Sequence, residues 1–377
     1  MKIALFIFPL QPSHGSFLQT FSLFSAIKEK GHEVKIIHRY ADKTPLKKAL
    51  RGGFIRLMKK ILGKYKLRCF FRTGFNPDIL KEMNRFVEKY LKNDLIVCYS
   101  DGDLKQIDTY QYDAFVVGSD QTWRPQYVSN VYNYFFDFVP KDNQAKRVSY
   151  ASSFGVDRWT FSLEQTKVCK NLVKRFNKIS VREESGVMLC KQYLEVDAKC
   201  VLDPTVLHTK DFYIPLIEDN ELTAEFHAFY YILDRSVDSM KIVDTISKYT
   251  GMKFYGMNQN SNPSSPKNEQ IAPSISKWLS GFYYGDIIVA DSYHAMIFAI
   301  LFNKPFVIIG NVNRGLARFE TLLDHLGLGY RMIVSLADFE NNIVDILNTT
   351  INWNEVNSKI IEMRKESLDF LYKALEN

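Results

Sequence analysis

The 377-residue chain exceeds the usual reach of one hydrophobic core, so two domains of about 150–200 residues are expected. Hydrophobic residues make up 46% and charged residues 24%, with no apolar run of about 18 residues, which fits a soluble or peripheral globular enzyme and excludes a membrane span. The net charge is +7, and the five cysteines lack CxxC or Cys/His metal spacing, which points to a reducing cytoplasm with free thiols and against a zinc site.

In chain order, Ile3–Phe8 reads as a first buried parallel strand, too soon interrupted by Pro9 and Pro12 to be a signal peptide. A helix is expected from about Phe17 to Lys30, stopped by Gly31, followed by a strand at Val34–Ile37. The loop before that helix holds Gly15 and Ser16 and can aim backbone N–H groups at an anion. Between Lys43 and Pro77 there is no acidic residue but eleven basic ones, interleaved with Leu46, Leu50, Phe54, Leu57, Met58, Ile61 and Leu62 at helical spacing. A basic amphipathic helix of this kind suits an anionic membrane surface or an acidic ligand, or packs its apolar face on the domain. No nucleic-acid fold motif accompanies the charge, so nucleic acid is not expected as a partner.

A helix at Ile79–Leu91 precedes strands at Ala114–Val117, Val148–Gly155 and Lys178–Val181, with helical periodicity at Leu163–Phe176. Each strand ends in polar or charged residues: Gly118–Trp123, then Ser152 and Ser153, then Arg182–Ser185. That is the arrangement of a switch-point crevice. Asp203-Pro204 reads as a structural turn and the transition to a second domain. There, strands are expected at Phe226–Leu233, Lys253–Gly256, Ile287–Ala290 and Phe306–Ile309, with helices such as Val237–Lys248 and Ile297–Phe302. The Asn-, Ser- and Pro-rich stretch 258–273 is expected as a mobile loop facing the cleft. Strand Ile287–Ala290 runs into Asp291, Ser292 and His294 before an apolar helix. A histidine at a strand's carboxyl end can move a proton near neutral pH, or it merely caps the helix.

The fold class is therefore α/β, with two Rossmann-like βαβ domains facing a cleft. They span 1–205, carrying the basic helical insertion near 43–77, and 206–350. A last helix within 351–377 packs back across both. Two such domains resemble the GT-B architecture of sugar-nucleotide transferases.

The chain also resembles the polysaccharide pyruvyl transferase family. The matching pieces keep their order over most of the chain: His14-Gly15-Ser16-Phe17-Leu18-Gln19, Gly118-Ser119-Asp120-Gln121-Thr122-Trp123, Ser149–Gly155, Ser180–Ser185, Leu202–Thr205, Asp291–His294 with Asn303–Phe306, and Asn313–Phe319. Two places depart from the family pattern. Ser13-His14-Gly15 stands where members often have Asn-Tyr-Gly, and Ser292 stands where some branches have an arginine two residues before the site histidine.

The resemblance implies phosphoenolpyruvate as co-substrate, no metal or organic cofactor, and a ketal formed on two hydroxyls of a hexose or N-acetylhexosamine. That acceptor often sits within a lipid-linked unit of a bacterial capsule or exopolysaccharide. It implies that Arg182 clamps the donor, and it strengthens His294 as the acid, with Ser292 beside it at the donor. Strand-end position adds Asp120 as a catalytic group, and Arg314 and Arg318 are the nearest cations to replace the missing arginine at the donor phosphate. Acceptor binding falls to Gly15, Gln19, Asp120, Gln121, Ser152 and Ser153. Arginine suits both anionic groups of the donor through its planar fork. The competing reading of Arg182 is a salt bridge to Glu183 or Glu184, that of Asp120 a helix N-cap, and that of Trp123 plain core. The enzyme is expected in the cytoplasm, held at the inner membrane face through 43–72. Two rivals stand: a GT-B glycosyltransferase using a nucleotide sugar, and an inactive scaffold of a capsule-assembly complex, the latter kept open by Ser292.

Overall fold

The computed structural model describes residues 1–10, 13–40, 77–218, 227–257 and 271–376. The basic segment expected at 43–77 and the loop expected at 258–273 lie almost wholly outside them. Twelve described strands form two sheets, parallel throughout. The first contains β1 (Lys2–Ile7), β2 (Glu33–Arg39), β3 (Leu95–Cys98), β4 (Ala114–Val117), β5 (Lys146–Ser152), β6 (Lys178–Val181) and β7 (Lys199–Cys200), in the order β3-β2-β1-β4-β5-β6-β7. The second contains β8 (Ala228–Tyr231), β9 (Phe254–Gly256), β10 (Ile287–Ala290), β11 (Phe306–Ile309) and β12 (Met332–Ile333), in the order β12-β11-β10-β8-β9.

The inner strands are short apolar runs because a parallel sheet is covered on both faces. Ala114–Val117, Lys178–Val181, Ile287–Ala290 and Phe306–Ile309 form over the very residues the sequence indicates. The strands β3, β7 and β12 were not foreseen. They are two to four residues long, lie at or near sheet edges and are in part exposed, so they lack the continuous apolar signature.

Strand order reverses between β1 and β4 in the first sheet, and between β8 and β10 in the second. The loops leaving these pairs diverge, and each opens a crevice at the carboxyl ends.

Five helices set the site. They are α1 (His14–Glu29), α2 (Ile275–Tyr284), α3 (Tyr293–Leu301), α4 (Ala317–Leu326) and α5 (Trp353–Glu376). All nine residues of α3 are buried, as is most of α1. Helices that are apolar nearly all round belong inside the molecule. Here α1 packs against α3, and one apolar cluster runs from Ile3 and Leu5 through Phe17 and Phe298 to Phe229, Ile288 and Phe306. Leu371 and Leu375 of α5 join the same cluster, while Arg364 of α5 donates from Nε to the Val206 carbonyl at 2.6 Å. Among the described residues no helix is long and apolar enough to cross a membrane.

Candidate functional site

The loops at the two switch points meet. From the first sheet come the α1 start after β1, Ser119 and Asp120 after β4, Arg182 after β6, and Asp203 shortly past β7. From the second come Tyr293 and His294, where α3 begins with only Asp291 and Ser292 between it and β10.

Asp203 lies at the centre, with its carboxylate fully buried. Its Oδ1 accepts hydrogen bonds from the backbone N–H and the hydroxyl of Thr205, at 3.0 and 2.6 Å. Its Oδ2 accepts from Arg182 Nη1 at 2.5 Å and from the Ser119 hydroxyl at 3.3 Å, and stands 3.5 Å from His294 Nε2. Burial alone would raise the pKa of this acid. The His294 imidazole, the Arg182 guanidinium and the Thr205 hydroxyl outweigh burial and hold it well below the ordinary carboxylate range.

Arg182 is itself buried, and its second amino group lies 3.3 Å from Asp120 Oδ1. Burial opposes its charge, but Asp203 and Asp120 more than restore it. Of the two earlier readings of Arg182, the ion-pair reading had the right kind of partner but the wrong residues, since Asp203 and Asp120 pair with it rather than Glu183 or Glu184. Asp120 adopts the left-handed conformation with φ 71°, and its Oδ1 also accepts from the Gln121 N–H at 2.9 Å. A non-glycine residue there costs about 1 kcal/mol or more, which the contacts around it must offset.

The ring of Tyr293 carries two cations, with the Arg182 guanidinium 4.8 Å and the Arg318 guanidinium 5.5 Å from its centroid. Arg318 is only 7% exposed, yet no hydrogen bond or ion pair to a described residue reaches it. Burial and then the neighbouring Arg182 lower its pKa. Asp120 and Glu183 favour its charge without outweighing burial, and a bound anion would relieve the remaining cost.

His294 packs against the first turn of α1. A Cβ added to Gly15 would fall 2.1 Å from His294 Nδ1, so only glycine lets α1 come this close. Beside it, buried His14 stacks on Trp278 of α2, and its ring nitrogens lie 3.2 Å from the Tyr231 hydroxyl and 2.9 Å from the Pro273 carbonyl. Burial pushes its pKa down to about 3.

The remaining nominated residues are placed as follows. Gln121 Oε1 accepts from Arg124 Nη1 at 2.6 Å. Ser152 is buried and hydrogen-bonded to the Ser149 hydroxyl, and its carbonyl accepts from the Arg182 N–H. Ser153 donates to Glu183 Oε1 at 3.0 Å. Gln19 is buried and bonded locally to the Ser16 carbonyl and the Thr20 hydroxyl. Ser292 caps α3 without a side-chain hydrogen bond. Arg314 is half-exposed and paired with Asp234 at 2.6 Å. Trp123 is core, stacked on Phe135. The site thus gathers His294, Arg182, Asp120, Arg318 and Gly15, while Ser152, Ser153 and Gln19 support it from behind.

Sequence reasoning passed over Asp203, Tyr293 and Glu183. Glu183 is fully buried, and its Oε1 holds the Ser153–Gly155 turn through the N–H groups of Phe154 and Gly155. Recognition of strand β7 would have marked Asp203, since a carboxylate just past a strand end is a site position rather than a plain turn.

Among solved structures, the fold is similar to S. aureus MnaA in a UDP co-structure, at 10% identity over 94% of this chain and 90% of that one, with a TM-score of 0.51. It is similar to the N-terminal domain of Candida albicans trehalose-6-phosphate phosphatase at 10% identity over 99% and 96%, TM-score 0.51. An alpha-glucosyltransferase in complex with UDP and a 13-mer DNA aligns at 11% identity over 99% and 95%, TM-score 0.47. At such identities the likeness is one of fold, two Rossmann-like parallel sheets in a GT-B-like arrangement. No curated protein sequence matches the chain significantly. The profile of the polysaccharide pyruvyl transferase family matches residues 14–313, a span that holds Gly15, Asp120, Arg182 and His294 and stops short of Arg318, and the chain belongs to that family.

Proposed function

We propose that the protein moves the enolpyruvyl group of phosphoenolpyruvate onto two hydroxyls of a hexose or N-acetylhexosamine, forming a pyruvate ketal in a bacterial capsule or exopolysaccharide. The observation that carries this reading is Arg318, a buried guanidinium with no ion pair among the described residues, held on the ring of Tyr293, the residue that precedes His294. Arg182 is already ion-paired with Asp203 and Asp120 and Arg314 with Asp234, whereas Arg318 has no ion pair among the described residues, so Arg318 is the cation best able to receive the donor's phosphate or carboxylate. This also answers the departure at Ser292, where some relatives have arginine.

His294 would deliver a proton to the methylene carbon of the enol, leaving an oxocarbenium-like carbon. One sugar hydroxyl adds to that carbon, phosphate leaves, and the neighbouring hydroxyl closes the ring. Of the two hydroxyl protons released, one balances the proton now in the new methyl group and the other leaves on the phosphate. Asp120 would accept one of them. The basic segment 43–72 would hold the enzyme on the anionic inner membrane face, where a lipid-linked acceptor lies. Pelleting with anionic but not neutral vesicles at low salt is the expected result, and equal pelleting would remove that docking.

Calorimetric titration with phosphoenolpyruvate tests the donor. Saturable binding is expected, weakened about tenfold or more in Arg318→Met, the loss of one or two charge-assisted hydrogen bonds. Binding of a nucleotide sugar instead would transfer the assignment to the glycosyltransferase reading, and binding of neither to the scaffold reading.

A further inference from the structure

We infer that His294 passes its proton through Nδ1, and that Asp203 and Gly15 are positioning residues that grip the ring from opposite sides to present that nitrogen. The inference deepens the pyruvyl-transfer reading and rests on it for the identity of the proton acceptor.

The two ring nitrogens are not equivalent. Nε2 is sealed from solvent, makes no hydrogen bond, and faces Asp203 Oδ2 at 3.5 Å. That carboxylate cannot turn away, since Arg182 Nη1, the Ser119 hydroxyl and both donors of Thr205 hold it. Nε2 therefore meets a held carboxylate, and by elimination Nδ1 is the nitrogen assigned to the substrate, on the side of the ring that the bare Cα of Gly15 leaves clear of a side chain.

On the other side the ring is seated by the bare Cα of Gly15. An added Cβ would lie 2.1 Å from Nδ1, 2.2 Å from Cγ and 2.6 Å from Cβ of His294, all below any tolerable contact. The neighbouring residue prevents α1 from yielding, because His14 is clamped by Trp278, Tyr231 and Pro273. In Gly15→Ala the imidazole would have to tilt, which moves Nδ1 and withdraws Nε2 from Asp203.

The proton balance follows. The doubly protonated ring gives its Nδ1 proton to the enol carbon, and the neutral ring that remains keeps its hydrogen on Nε2, directed at the Asp203 carboxylate. An ionised acceptor on that side favours this tautomer.

The test is nitrogen-15 NMR of protein labelled at histidine, recorded at alkaline pH, with the His294 resonances identified by their loss in His294→Gln. The neutral ring is expected with its hydrogen on Nε2 and with Nδ1 bare. In Gly15→Ala that bias should fall, at a melting temperature that shows the protein still folded. A wild-type ring carrying its hydrogen on Nδ1 overturns the inference, as does a Gly15→Ala spectrum identical to wild type. The wild-type spectrum stands even if the variant does not fold. Because this readout needs no substrate, a failure of phosphoenolpyruvate to bind would strike the functional reading and leave the ring geometry intact.

Discussion

Arg182 and Arg318 flank the same tyrosine ring, and the contrast between them separates architecture from recognition. Arg182 is locked between two buried carboxylates. Removing it in Arg182→Met leaves Asp203 and Asp120 uncompensated and should cost about 3–5 kcal/mol of stability in urea denaturation. Arg318 has no ion pair among the described residues and burial outweighs the attraction of Asp120 and Glu183, so Arg318→Met should leave stability unchanged or raise it while donor binding weakens about tenfold or more. A variant pair with the opposite pattern would exchange the two roles. His294→Gln should fold normally and lower turnover about 10²-fold or more, the usual share of a general acid. Wild-type turnover in that variant would sink the assignment.

At the scale of elements, the site depends on helices whose ends are placed by the shared core. The α1 start reaches His294 because α1 and α3 pack together between the sheets, and α5 closes the far side through Leu371, Ala374 and Leu375. Leu371→Ala should cost about 3 kcal/mol, the usual range for a fully buried leucine. Because the apolar cluster is continuous across both sheets, the melting curve should shift as one transition. Two resolved transitions would show that the halves fold independently. The α3 start also shows what periodicity can and cannot mark. The sequence places a helix at Ile297–Phe302, whereas the structure begins it at Tyr293, since polar Ser292 and the aromatic residues after it hide the boundary.

The whole molecule carries a pH dependence set by its buried histidines. Burial lowers His14 to about 3 and His38 to about 4, from an ordinary value of 6.5. Below pH 6.5 the unfolded chain takes up protons that these rings refuse, so stability falls with pH by about 1.4 kcal/mol per unit for each of them. Between pH 6.5 and 5 the two together should remove roughly 3 kcal/mol, measured by urea midpoints, and His14→Tyr should remove about half of that loss. Asp203 acts in a different window. Its folded value is depressed, so its contribution is present above the unfolded carboxylate range and is lost only in stronger acid. A stability flat from pH 7 to 5 would contradict the burial of the two histidines.

What the sequence determined by itself was the fold class, the inner strands and the strand-end positions of Asp120, Arg182 and His294. Those follow from local rules: a run of apolar residues buried on both faces must be a strand, and polar residues at its end must face a crevice. The tertiary structure decided which of those residues meet. Asp203 looked like a turn because its strand is two residues long. Arg314 and Arg318 looked equivalent because sequence carries no record of which guanidinium finds a carboxylate. The departure from Asn-Tyr-Gly at His14 had no reading until Trp278 and Tyr231 were seen around it. Pairing of charges joins residues 21 to 80 positions apart and clearance at Gly15 depends on a helix from the other sheet, and those distances exist only once both sheets have closed on α1 and α3.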